Sequence, residues 1–305
     1  MEVYKEVSPP DNFDVSPYGL FSAINWATPD TPHVFGGISY DADCTEVGVT
    51  SSPCVSGAPE SATLTKAATW SHTVRGARPF TVYDEIDCSA PGGGYENASE
   101  RALMGLTRSA PTQVEATFWT GSSGLGTPVF PNLTVTGVIR DSTNRIILQP
   151  ASTLISGVPL DVVEGLGALE TALASCYDGL GVIHAPIRVA EELVANRLCY
   201  ERNGKLYTYV GNQVVIGKGY PGTGPNGSTP AAGSMWMFAT SPIFGYRNTA
   251  RTIATPVESL NRTVNTIKMI AEQTFVLGWR CCLAGVLVTT GGEGAGEPLT
   301  PLADS

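Results

Sequence analysis

Apolar and polar residues alternate along 264–277. Ile267, Met269, Ala271, Phe275 and Leu277 hold odd positions, while Lys268, Glu272 and Thr274 hold even ones. Period two outweighs period 3.6, so a long strand is predicted. Ala284 to Thr289 reads as another strand. Phe80 to Ile86 alternates in the same way, and Thr63 to Val74 is strand-like. Gly76 lies between these two runs with Arg75 and Arg78 beside it, a pattern that fits a long two-stranded hairpin. Such a hairpin is marginal alone in water and predicts a neighbour to lean on. Gly211-Asn212, between Tyr207-Thr-Tyr-Val and Gln-Val-Val-Ile216, signals a second hairpin.

Helical periodicity appears in three places. Asn97-Ala-Ser-Glu100 has the form of a capping box, and Ala98, Ala102, Leu103 and Leu106 follow on one face. Pro111 predicts a break, with a second segment carrying Val114, Phe118 and Trp119. Asp161 to Ala174 places Val162, Leu166, Leu169 and Leu173 on one stripe. Pro186 opens another helix as a first-turn proline, with Val189, Leu193, Val194 and Leu198 apolar. Gly181 to Ala185, between those two helices, reads as a short buried strand, giving an αβα unit. Residues 1–38 read as an extended arm, because Pro9, Pro10, Pro17, Pro29 and Pro32 prevent a long helix. Phe21, Ile24 and Trp26 give that arm something to bury, so it is expected to lie on another surface as a strap. The end from Gly291 to Ser305 has the composition of a mobile terminus.

Composition narrows the classes. The chain has 305 residues, 42% of them hydrophobic, with 34 glycines and 22 prolines. That supports a sizeable core joined by many turns. A net charge of −10 excludes a broadly basic nucleic-acid-gripping surface, although nucleic acid could still be enclosed without being gripped. No run of 18 apolar residues occurs, so no membrane span is predicted. The first residues carry no apolar leader core, which predicts a chain made and kept in a cytoplasm. The sequons at Asn97, Asn132, Asn226 and Asn261 then carry no weight. Seven cysteines without a Cys-x-x-Cys pair argue against a zinc site. They read as buried thiols acting as small hydrophobes. The sharper alternative is a disulfide between Cys44 and Cys54 in their Gly/Ser/Pro-rich loop, which would need oxidation after release from the cell.

Catalytic templates fail. His33, His72 and His184 lack metal-ligand spacing, and His184 reads as a strand-end histidine satisfied by backbone. No Gly-x-Ser-x-Gly elbow and no dinucleotide fingerprint occur. Gly222-Thr-Gly-Pro-Asn-Gly227 has the glycines of a phosphate loop but lacks its lysine, and Pro225 removes a backbone donor. No catalytic, cofactor-binding or metal residue is assigned, and no cofactor is expected.

The order of these parts resembles a known family. The matching stretches are Glu115-Ala-Thr-Phe-Trp-Thr-Gly121, Val182-Ile-His-Ala-Pro-Ile-Arg-Val-Ala-Glu-Glu-Leu193, Tyr207 to Gly217, Met235-Trp-Met-Phe-Ala-Thr240 and Ala284-Gly-Val-Leu-Val288. Together they resemble the tailed-phage major capsid protein of the Hong Kong 97 type, over roughly residues 20 to 290. The likeness runs most to the short capsid proteins of actinobacterial phages, and encapsulins share the fold.

The resemblance implies an α+β chain divided into an N-terminal arm (1–38), an extended β-hairpin loop (39–88), and a spine helix with peripheral domain (89–159). An axial domain (160–250), a peripheral return strand with the end of the axial domain (251–290) and a C-terminal tail (291–305) follow. It implies pentamers and hexamers that self-assemble, without a membrane, into an icosahedral head in the host bacterial cytoplasm. That head would enclose double-stranded DNA without sequence-specific binding. A separate scaffolding protein, a portal and optionally a decoration protein would be its partners. Candidate inter-subunit contacts are Phe21, Trp26, Lys66, Trp70, Arg75 and Arg78. Some members crosslink a loop lysine to a neighbour's asparagine. Lys66 lies in the corresponding segment, but Ala284 to Thr290 offers no asparagine and no activating acid, so no crosslink is expected. An encapsulin-like compartment and, from another class, a small cytoplasmic hydrolase are the alternatives.

Overall fold

A computed structural model describes residues 15–42, 74–89, 98–122, 129–135, 139–140, 146–147, 153–253, 260–261 and 266–290. In chain order the elements are β1 (Ile24–Trp26), β2 (Ile38–Asp41), β3 (Val74–Ala77), β4 (Phe80–Ser89) and α1 (Ala98–Thr120). Next come β5 (Ile139–Arg140), β6 (Ile146–Ile147), β7 (Thr153–Leu154), α2 (Val162–Cys176), β8 (Val182–Pro186) and α3 (Ile187–Ala195). The chain continues through β9 (Cys199–Arg202), β10 (Lys205–Thr208), β11 (Gln213–Gly217), β12 (Ser234–Thr240) and β13 (Ile243–Arg247). It closes with β14 (Arg251–Ile253), β15 (Leu260–Asn261), β16 (Thr266–Trp279) and β17 (Leu283–Thr289).

Two sheets carry the fold. In the first, β16 is the long central strand, as its period-two pattern predicts. It pairs antiparallel with β13, β14, β15 and β4, and β1 joins β13 in parallel at the edge. The second sheet has the order β7-β17-β12-β8-β11-β10-β9. Its central strands alternate between two cores. Trp236, Phe238 and Leu287 face one apolar cluster, while Met237, Ala239, Val286 and Val288 face the other. Helices α2 and α3 cover the second face. Asp161 caps α2 by accepting from the N–H groups of Val163 and Glu164. The stripe Val162, Leu166, Leu169 and Leu173 is buried as predicted. On α3, Val189 and Leu193 are buried but Val194 is exposed, and Leu198 lies beyond the helix end.

The first sheet and the first cluster are spanned by α1. The predicted break at Pro111 is absent: α1 runs unbroken for 23 residues. The proline's missing donor is offset by a continuous buried face of Ala102, Leu106, Ala110, Val114 and Phe118 on both sides of it. The approach to β4 is close. A β-carbon on Gly105 would fall 1.7 Å from a carboxylate oxygen of Asp84, so any larger residue there would force the Asp84 side chain to turn away.

The predicted hairpin is corrected at its turn, while the rest of its first run, 63–73, lies outside the described residues. β3 pairs antiparallel with β2, not with β4, and β4 pairs along its whole length with β16. Arg75 therefore sits opposite Tyr40 near the Asp41–Val74 end of the β2–β3 pair and Arg78 just past its other end, so neither is at a hairpin tip. A run such as Phe80–Ile86 can pair with any complementary strand, and the ten-residue register with β16 outcompetes the local partner. Lys66, Trp70, Cys44, Cys54 and Asn97 lie outside the described residues.

Candidate functional site

Three segments converge on the second half of α1: the turn Gly19–Ser22, the helix itself, and the loop that follows β11. Glu115 lies at their meeting point and is almost fully buried. Its Oε1 accepts from the Leu20 N–H at 2.9 Å, and its Oε2 accepts from the Gly219 N–H at 2.9 Å. Burial pushes the carboxyl's pKa up, against the lowering pull of the Gly219, Leu20 and Lys218 N–H groups and the Lys218 charge. A β-carbon on Gly219 would meet the Thr112 carbonyl at 2.1 Å, so only glycine lets this loop lie on the helix. Beside Glu115 is a small surface pocket bounded by Ser16, Gly19, Arg108, Thr112 and Lys218. Both carboxylate oxygens are engaged by backbone N–H groups. The arrangement fastens three chain segments to one another.

Removing this fastener has an expected cost. Glu115→Ala orphans two buried donors, a loss of about 1–3 kcal/mol each, partly offset by deleting a desolvated charge. Urea unfolding checks it, and limited proteolysis near Leu20 should speed up. Glu115→Gln keeps an acceptor and loses less. Because the folded-state pKa is raised, the acid's contribution is fullest below its unfolded value and fades as pH rises through the folded one. The stability gap between wild type and Glu115→Gln therefore narrows with rising pH.

The second polar node is His184 in β8, fully buried. The Tyr220 hydroxyl stands 3.0 Å from Nδ1, and the Thr240 hydroxyl 3.0 Å from Nε2. Side chains rather than backbone satisfy the ring, which corrects the sequence reading. Burial lowers its pKa to about 3, so the imidazole is neutral and bridges β8, β12 and the post-β11 loop. Phe118 of α1 lies against it at 5.6 Å. Since the unfolded state binds a proton near pH 6.5 and the folded state does not, stability falls below pH 6.5 by about 1.4 kcal/mol per unit until about pH 3. In His184→Gln that part of the slope should vanish, as read by unfolding midpoints across the same range.

A third group fixes the hairpin of β10 and β11. Glu170 of α2 accepts from Thr208 Oγ1 and from Asn212 Nδ2, and Asn212 Oδ1 accepts from the Gly181 N–H at 2.8 Å. The Cys199 thiol is pushed up to about 11 by burial and by Glu170, which keeps it from acting as a nucleophile. Among the described residues no three metal-ligating side chains cluster, and no helix is long and apolar enough to cross a membrane.

The polar nodes face inward; the large apolar residues left exposed are spread over several elements, and four of them (Leu180, Tyr200, Tyr209 and Val210) gather at one end of the second sheet. In the turn after β10, Tyr209 is 74% exposed and Val210 64% exposed. Leu180, also exposed, lies against Gly211 of the same turn, and Tyr200 is 5.7 Å from Tyr209. At the opposite edge of that sheet, Leu154 and Val158 are exposed. The sequence carried a signal for the turn patch: two large apolar residues immediately before a turn glycine with no strand left to bury them.

The sequence-named contact candidates that are described all have partners within the chain. Phe21 meets Trp26 edge-on at 5.4 Å, and both meet Phe275. The Arg247 guanidinium stands over Trp26 at 4.6 Å. Arg75 donates to the carbonyls of Arg280 and Cys281, and Arg78 lies over the Phe130 ring at 5.2 Å. They do not form one site. Sequence reading missed Glu115, Tyr220 and Thr240, because their partnerships span 36 to 104 residues.

No protein-family model and no curated protein matches the chain. Solved structures do. The capsid of an empty GTA particle, computed with C5 symmetry, aligns with a TM-score of 0.56 at 12% identity, covering 94% of this chain and 95% of that one. The capsid of Ralstonia phage GP4 aligns at 0.51 with 9% identity and 96% coverage of each chain. The SrpI encapsulin of Synechococcus elongatus PCC 7942 also aligns at 0.51 with 9% identity, covering 95% of this chain and 94% of that one. The chain has the α+β Hong Kong 97-type capsid fold shared by phage capsids and encapsulins.

Proposed function

We propose that this fold does here what its architecture suits: the chain is a major capsid protein that self-assembles into the icosahedral head enclosing the double-stranded DNA of a tailed bacteriophage. The observation that carries the reading is the end-to-end alignment with a capsid chain, 94% of one against 95% of the other. No large part of either chain is left over for another task. The inward-facing polar nodes agree with this, since they fasten chain segments to one another. Such a shell is not an enzyme.

In this reading the arm, extended loop, spine helix, peripheral domain, axial domain, return strand and tail follow the division that the resemblance implies, with β4 and β13 joined to the first sheet through β16. The extended loop springs from the β2–β3 pair. Seams between copies would use the faces that Phe21, Trp26, Arg75 and Arg78 leave uncovered, together with Lys66 and Trp70. The exposed turn at Tyr209 and Val210 joins them as a lateral contact. Scaffolding and portal proteins are the expected partners, and assembly takes place in the bacterial cytoplasm before the shell becomes part of a virion.

The alignment with an encapsulin at a comparable TM-score favours one second reading, a protein compartment holding a cargo enzyme. One experiment separates them. The chain is expressed alone and with its genomic neighbours, purified, and imaged by negative stain. Closed shells or flat hexamer sheets are expected. Packaged nucleic acid with a portal vertex marks a head, whereas a co-purifying enzyme marks a compartment. A monodisperse monomer under both conditions overturns the shell reading.

A further inference from the structure

Cys176 is the last residue of α2, and Cys282 lies in the turn between β16 and β17. The two form a disulfide across 106 residues of sequence, with Cα atoms 6.1 Å apart. We infer that this bond is a staple closed by oxidation after the shell leaves the reducing cytoplasm, and that it locks the exposed contact turn; the timing rests on the shell reading above.

Three observations carry it. First, the surrounding core closes without the bond. Leu166, Leu169, Leu173, Ala284 and Val286 bury α2 against the sheet, and Cys282 is itself a buried small hydrophobe there. The reduced chain therefore folds in a compartment that keeps thiols reduced. Second, Cys176 is only half-buried, so a small oxidant reaches one sulfur. Third, the bond fixes the start of the 177–181 connection to β8, whose Leu180 lies against Gly211 beside Tyr209 and Val210. Locking that connection holds the apolar turn in one position.

The chemistry is thiol–disulfide exchange with a small-molecule disulfide such as oxidised glutathione. The Cys176 thiolate attacks one sulfur and releases the first thiol. The Cys282 thiolate then attacks the mixed disulfide and releases the second. The protein pair loses two electrons and two protons, and the reagent gains both as two thiols.

The test uses assembled protein. One half is alkylated at lysis; the other is first exposed to oxidised glutathione. Mass spectrometry should find both cysteines alkylated in the first and a Cys176–Cys282 linked peptide in the second. The melting temperature should rise by about 5–10 °C on oxidation and fall back with a phosphine reductant. In Cys176→Ser, chosen because that side is solvent-accessible, neither change should occur. A bond already present at lysis, no bond after oxidant, or an unchanged melting temperature overturns the proposal. Electron microscopy of the same samples reports separately on shell formation. Absent shells would sink the shell reading while the linkage is still read from the peptides.

Discussion

On the shell reading, replacing Tyr209 and Val210 together with glutamate is expected to leave a folded chain that no longer closes into shells. Both side chains stand outside either core, so the substitution should change unfolding free energy by no more than about 0.5 kcal/mol. At a contact between copies the same change buries two unpaired charges, a cost of several kcal/mol at each interface. Symmetry repeats that cost around every ring. Size-exclusion chromatography and negative stain read the loss, and an unchanged circular dichroism melt of the unassembled chain shows that folding survives. Shells of normal diameter from the double variant would remove the turn from the contact.

The second large effect is internal. Phe118→Ala should destabilise the unassembled chain by about 3–5 kcal/mol. Phe118 is buried where α1 meets both sheets, edge-on to Trp279 of β16 at 5.3 Å and 5.6 Å from His184 of β8. Its removal opens a cavity between elements that cannot collapse independently. Met104→Ala on the exposed side of the same helix should stay within about 0.5 kcal/mol. Urea denaturation of both variants makes the comparison; similar losses would mean that helix propensity, not the junction, sets the stability.

Local periodicity reported what local periodicity controls. Within the described residues the alternation read over 264–277, the four-residue stripe of α2, the Gly211-Asn212 hairpin and the closing strand read over 284–289 fall inside the strands and helix observed, with boundaries a residue or two different. What escaped depends on distant partners. Pro111 reads as a break because its cost is local, while the buried face that overrides it is tertiary. β4 was matched to the nearest strand-like run, yet its true partner β16 lies some 180 residues on. The Asn203-Gly204 turn between β9 and β10, with φ of 53° and 71°, was a legible hairpin signal that the apolar run through Leu198 obscured. The partners of Glu115 and His184 could not be read, because one carboxylate or imidazole in a sequence does not announce which backbone or hydroxyl groups will surround it.

The route of the chain from β16 into β17 makes the molecule a lever. One strand crosses the first sheet, turns within the residues between Trp279 and Leu283, and re-enters the second sheet as a central strand. Arg75, at the foot of the 42–73 connection, grips that turn through the carbonyls of Arg280 and Cys281. A pull on the connection is therefore delivered first to the fulcrum, and from there to both sheets at once. A load reaching Arg75 would therefore bear on a turn that both sheets share, rather than on either sheet alone.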